Sequence, residues 1–170
     1  MTAVASIYTG GRILASAGRN AWPQAVIKAI DETEGAFGAP VMVNDRELYL
    51  PVAASTSYLF CCYLNYEGYI NNDGDLQYEW VVPSGMTLRF SSIGLNLSAG
   101  SQVKTTLKEN TVYQLGTNGA GVLVAALMFG TLVTSTAAGT LQLSWTTYQD
   151  HFSATTIHAQ SFLALWQLSP

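Results

Sequence analysis

The chain has 170 residues, of which 49% are hydrophobic and only 11% are charged, and its formal net charge is −4. A chain of this length can form one domain with its own core plus an extension, and its charged fraction is less than half of the usual ~25%. The low charge and the absence of any Lys/Arg cluster argue against nucleic-acid binding. The longest apolar run, residues 120–133, is interrupted by glycines, is too short to span a bilayer, and predicts a buried strand.

Residues 1–23 differ from the rest of the chain. Glycines and Pro23 punctuate them and their apolar residues are scattered, which predicts an extended arm before a domain at 24–170. A helix over 22–30, with Pro23 in its first turn, is one interpretation of the next segment. A strand over 25–31 is favoured, because Val26 and Ile30 fit a period of two and glycines follow soon after.

The remaining sequence consists of short apolar runs separated by turn residues. The segment 71–74 reads Asn-Asn-Asp-Gly, and Asp-Gly is the strongest short-range signal of a β-hairpin. Eight or more short strands with no amphipathic helix indicate a sandwich or a barrel. The predicted strands cover 47–52, 58–66, 75–82, 87–92, 102–107, 111–115 and 121–133, followed by two closing strands.

The closing strands have the clearest pattern. Leu141, Leu143 and Trp145 alternate with polar residues, as expected for a strand with one buried face. A second strand is predicted over 161–168, where apolar residues occupy both alternating sets.

Several short motifs together resemble a β-sandwich module of structural proteins from tailed bacteriophages. The closing strands contain Gly-Thr-Leu-x-Leu-x-Trp at 139–145 and Ala-Thr-Thr-Ile-x-Ala-x-Ser-x-Leu-x-Leu at 154–165. Further landmarks are Asp45 to Ala54 followed by Tyr58 and Phe60, Tyr66-Glu67-Gly68, Val82 to Gly85, and Ile27-Lys28-Ala29 with Asp31. The resemblance covers about residues 26–168. It departs from the module's pattern at Thr146-Thr147, Ala164 and Trp166.

The resemblance implies an all-β, jelly-roll-like antiparallel β-sandwich with an extended N-terminal arm. It further implies a non-enzymatic virion protein made in the bacterial cytoplasm, namely a homotrimeric decoration protein that binds the major capsid protein and stabilises the assembled head. The expected partners are a second copy of the chain and the capsid, with no nucleic acid, membrane or cofactor. The alternative is a tail-fibre or receptor-binding module of the virion.

The two apolar faces of strands 58–66 and 161–168 predict a contact surface. We assign Tyr58, Phe60, Cys62, Leu64 and Tyr66 to the core, so the opposite face needs a second cover. The arm, a loop of the same chain or a neighbouring subunit supplies it, and we favour a subunit. The interface candidates are Leu59, Tyr63, Phe162, Trp166 and Leu168, and the capsid-contact candidates in the arm are Ile7, Tyr8, Ile13, Leu14 and Trp22.

Other polar residues do not form a convincing chemical site. Asp150-His151 near Ser153 is interpreted as a polar turn, since a catalytic triad is defined by its geometry in space. His158 and the two cysteines are too few for a structural zinc site, and Asp73-Gly74-Asp75 does not match an EF-hand loop. Cys61 and Cys62 are adjacent, so in a strand they point to opposite faces and are expected to stay reduced.

Overall fold

The computed structural model describes residues 23–35, 40–68, 74–97, 101–108, 111–148 and 154–169. Within these ranges no helix is long and apolar enough to cross a membrane. The regular elements described are β1 Gln24–Ile27, β2 Glu32–Glu34, β3 Val43–Val52, β4 Ser57–Gly68, β5 Asp75–Val81, β6 Thr87–Leu95, β7 Ser101–Lys108, β8 Tyr113–Leu115, β9 Val124–Val133, β10 Gly139–Tyr148, β11 Thr155–Ile157 and β12 Phe162–Ser169.

These strands form two antiparallel sheets that pack as a sandwich. The larger sheet has the order β1-β12-β4-β9-β6-β7, and the short strands β11 and β2 extend it beyond the end of β12, beside β4. The smaller sheet has the order β3-β10-β5-β8. The predicted all-β, jelly-roll-like sandwich is therefore confirmed.

Strand β4 shows how the sequence pattern builds the core. Its even-numbered side chains from Tyr58 to Tyr66 are at most 1% exposed, as the period-two pattern predicted. Phe60 meets Trp80 of the smaller sheet edge to face, with ring centroids 4.9 Å apart. Because both aromatic rings lie in the space between the sheets, this contact joins the two layers directly.

Two expectations about the strands were wrong. The segment 71–74 does not link a hairpin, because β4 belongs to the larger sheet while β5 pairs with β10 and β8 in the smaller one. The connection between them crosses from one sheet to the other. Strand β9 is not buried on both faces: Met128 is fully buried, whereas Phe129 is 52% exposed. In contrast, the choice of a strand after Pro23 was right, although β1 ends at Ile27.

Candidate functional site

The candidate site is the side of the larger sheet that points away from the smaller sheet, called here the outer face. Its centre lies on β4 and β12, where Trp166 pairs with Leu59 and Phe162 pairs with Tyr63. The rings of Phe162 and Tyr63 stack with centroids 5.9 Å apart. Cross-strand aromatic pairs of this kind stabilise a sheet and leave a flat apolar surface.

The apolar surface continues across the neighbouring strands. On β9, Leu127 pairs with Tyr63 and Phe129 pairs with Cys61, and both apolar side chains are substantially exposed. On β6, Ile93 pairs with Leu127 and is exposed. The outer face therefore carries apolar side chains on adjacent strands from β12 to β6.

Strand β1 adds to the same surface at the other edge. Ile27 pairs with Phe162 and is 56% exposed, while Val26 points into the core. Strand β1, which begins at Gln24, is the edge strand of the larger sheet on this side. Among the described charged residues of the central strands, Glu67 lies at the far end of β4, paired with Thr156. Arg89 on β6 lies on the outer face in the same row as Thr131, Leu59 and Trp166, so the apolar surface ends there.

The structure brings together four of the five predicted interface residues, because Leu59, Tyr63, Phe162 and Trp166 occupy paired positions on two adjacent strands. Leu168 lies beyond them, next to a register irregularity between Gln167 and Ser169, and it is 59% exposed. The capsid-contact candidates in the arm lie outside the described residues. So do Asp73, Asp150, His151 and Ser153.

Sequence reasoning missed the contribution of Leu127, Phe129, Ile93 and Ile27 to the outer face. The signal was present in β9, where Leu127 and Phe129 alternate with Ala126 and Met128, so that both faces are apolar. The same two-faced pattern had identified β4 and β12. In β9 the long apolar run at 120–133 led instead to the prediction of a buried strand.

A second polar feature lies inside the sandwich, where Lys28 follows β1 and Asp45 lies on β3. The Lys28 Nζ is 2.9 Å from Asp45 Oδ2 and 2.8 Å from Glu32 Oε2, and all three side chains are buried. Trp145 Nε1 donates to the same Asp45 Oδ2. We call Lys28, Glu32, Asp45 and Trp145 the buried cluster.

The buried cluster explains two of the sequence motifs. Lys28 and Asp45 belong to separate landmarks of the phage-like pattern, and the fold places them in direct contact. A buried charge is stable only when it is paired and hydrogen-bonded, which requires these residue types to occur together. The residues Lys28 and Asp45 of these two landmarks thus form a contact between the two sheets.

His158 lies between two carboxylates near one end of the larger sheet. Its Nδ1 is 3.4 Å from Asp31 Oδ2, and its Nε2 is 3.5 Å from Glu67 Oε1 without the geometry of a hydrogen bond. The backbone N–H of Ala159 donates to Asp31 and, with a smaller contribution from His158, lowers the pKa of that carboxyl group. The arrangement holds the turn before β12 against β4.

Asp75 and the cysteines are placed as structural groups. The Asp75 carboxylate accepts hydrogen bonds from the backbone N–H and the hydroxyl of Thr117. Cys61 and Cys62 are free thiols, and burial raises the pKa of both. Within the described ranges no group of three or more His, Cys, Asp or Glu side chains could hold a metal ion.

Comparisons with known proteins do not assign the chain to a family. No protein-family profile and no curated protein sequence matches the chain. Among solved structures, the VP2 subviral particle of infectious bursal disease virus is similar at 11% identity and a TM-score of 0.19, over 95% of this chain and 44% of that one. The Gt strain of the same virus gives 13% identity and a TM-score of 0.21, over 98% and 43% of the two chains. The chain thus spans less than half of these proteins, and similarity at this level carries no argument about function.

Proposed function

We propose that this chain is a non-enzymatic structural protein of a tailed-phage virion. In this proposal it is a homotrimeric decoration protein that binds the assembled capsid and stabilises it. The motif resemblance supports the virion assignment, and the outer face supports the assembly into trimers.

The observation that carries the proposal is the continuous apolar surface from β1 to β6. The apolar row Ile27, Phe162, Tyr63, Leu127 and Ile93 crosses five strands spaced at ~4.8 Å and spans roughly 19 Å. The distance from Leu59 to Tyr63 along β4 adds roughly 13 Å, giving an area of about 250 Å² whose corner on β9 and β6 is polar, with Thr131, Arg89 and Ser91. A patch of this size fits the apolar centre of a standard interface, which buries about 800 Å² per partner inside a polar rim. We assign a second copy of the chain to it, because stacked aromatic rings surrounded by exposed aliphatic side chains are typical of subunit contacts.

Binding to an assembled shell requires no catalytic group. A protein that contacts two neighbouring capsid subunits at once binds the lattice and not the free subunit. It therefore stabilises the shell by mass action, by a free energy that grows with the logarithm of its concentration relative to the dissociation constant. Residues 1–23 are proposed to supply part of the capsid contact.

The oligomeric state is the first test. Light scattering on the purified protein at micromolar concentration is expected to give three times the mass of the chain. A monomer over the whole accessible concentration range would contradict the assignment of a second copy to the outer face.

The capsid contact is tested separately. The purified protein is mixed with assembled empty capsids and, in parallel, with unassembled capsid subunits, and co-sedimentation is measured. We expect saturable binding to the capsids only. Binding to host cells but not to capsids, or immunolabelling of the tail in intact virions, would favour the receptor-binding alternative.

A further inference from the structure

The buried cluster contains the parts needed to form a covalent bond between the two sheets. We propose that Lys28 Nζ and the side-chain carboxyl group of Asp45 condense spontaneously to an amide, with Glu32 transferring the protons. The bond would join the segment after β1 in the larger sheet to β3 in the smaller sheet. This inference does not depend on the proposed function.

The reacting groups are already in contact. The Nζ of Lys28 lies 2.9 Å from Asp45 Oδ2, which is one bond from the carbon that the nitrogen would attack. Productive condensation starts from reacting atoms roughly 3–3.5 Å apart and held in place, so that little entropy remains to be lost. The backbone of Lys28 is fixed on both sides, since its N–H donates to Ser161 and its carbonyl accepts from Gln160.

The surroundings of Asp45 suit the tetrahedral intermediate. Asp45 Oδ1 accepts hydrogen bonds from the backbone N–H groups of Glu47 and Leu48, at 2.9 and 2.8 Å. These two donors would stabilise the negative charge that develops on Oδ1, as in an oxyanion hole. Trp145 Nε1 donates to Oδ2 at 3.1 Å and holds the departing oxygen.

Glu32 is placed to transfer protons. Its Oε2 is 2.8 Å from Lys28 Nζ, and its Oε1 is 3.2 Å from Arg46 Nε. Glu32 takes one proton from the ammonium group and passes it to Oδ2 of Asp45. The nitrogen lone pair then bonds to the carboxyl carbon, and the electrons of the C=O double bond move onto Oδ1.

The second half of the reaction restores the carbonyl. A second proton passes from the nitrogen to Oδ2 by the same route, and Oδ2 leaves as water with the electron pair of its bond to carbon. One ammonium and one carboxylate thus become one amide and one water, with Glu32 unchanged and no oxidant or cofactor consumed. Replacing two buried ions with a neutral amide also removes the cost of keeping charges out of water.

Mass spectrometry tests the proposal on the wild-type protein. The intact denatured chain is expected to be lighter than its sequence by one water. After trypsin digestion, residues 20–46 should appear as one peptide that is uncut at Lys28 and lacks one water. Two ordinary peptides, 20–28 and 29–46, together with the full sequence mass, would overturn the proposal.

A cyclised aspartate at Asp73-Gly74 would also remove one water, but it would place the loss in peptide 47–89. The variant Lys28→Arg is expected to restore the full mass, while the matched control Lys104→Arg on β7 should still lack one water. Glu32→Gln is expected to restore the full mass as well, and retention of the loss in that variant would overturn the role of Glu32. If Lys28→Arg does not fold, the wild-type peptide 20–46 decides the question alone.

Discussion

Arginine substitutions at two neighbouring positions of β12 test the assignment of the two sheet faces. Leu165 is 1% exposed and points into the core, whereas Trp166 is half-buried on the outer face, opposite Leu59. Leu165→Arg would place an unpaired charge in the core at a cost of several kcal/mol. A domain of this size is stable by about 5–15 kcal/mol, so this variant is expected to be unfolded or aggregated.

Trp166→Arg should leave the sandwich folded but prevent trimer formation. Burying an aromatic side chain at an interface contributes about 2 kcal/mol, which corresponds to roughly a 30-fold change in affinity per contact. A closed trimer has three such contacts, so its formation would be weakened by about 6 kcal/mol, or roughly 10⁴-fold. The arginine also loses packing within the domain, which we expect to lower the unfolding free energy by only about 1 kcal/mol.

The assay combines circular dichroism with light scattering at a fixed micromolar concentration. The expected result is a β-type spectrum and a monomeric mass for Trp166→Arg, and no cooperative unfolding transition for Leu165→Arg. A wild-type mass for Trp166→Arg would refute the subunit contact. Equal loss of folding in both variants would refute the assignment of the faces.

Four further predictions follow from individual features. Thr117→Val removes the hydroxyl's hydrogen bond to the buried Asp75 carboxylate and leaves the backbone N–H donor in place. It should lower the unfolding free energy by about 1–3 kcal/mol in urea titrations, whereas the exposed control Thr140→Val should change it by less than about 0.5 kcal/mol. The pKa of the Asp31 carboxyl group is lower in the folded protein than its usual value of 3.8, so the ionised group stabilises the fold above pH 3.8. This contribution is lost as the pH falls through the lower pKa of the folded state, and the difference in unfolding free energy between wild type and Asp31→Asn should disappear over that pH range. Adding a chelator should not shift the melting temperature, and a shift of several degrees would reveal a metal site. Deleting residues 1–23 should preserve the melting transition but weaken co-sedimentation with capsids, and failure of the truncated chain to fold would show that the arm belongs to the core.

The sequence by itself determined the fold class and the core face of the main strands. The alternation of large apolar side chains along β4 is a local property, because successive residues of a strand always point to opposite faces. The same rule puts Leu163 and Leu165 on one face of β12 and Trp166 on the other, and in the structure the two leucines lie in the core. Two-faced apolar strands also identified the centre of the outer face, on β4 and β12, before the strand order was known.

Only the tertiary structure decided which strands are neighbours. The Asp-Gly signal at 73–74 is a property of a few residues, whereas the separation of β4 and β5 into different sheets depends on which partners each strand finds across the whole chain. For the same reason, no local pattern placed the Lys28 ammonium beside the carboxylate of Asp45, 17 residues away. The ammonium group of Lys28 is buried inside the sandwich, so it needs an oppositely charged group beside it. Only the packing of the two sheets shows that this group is Asp45.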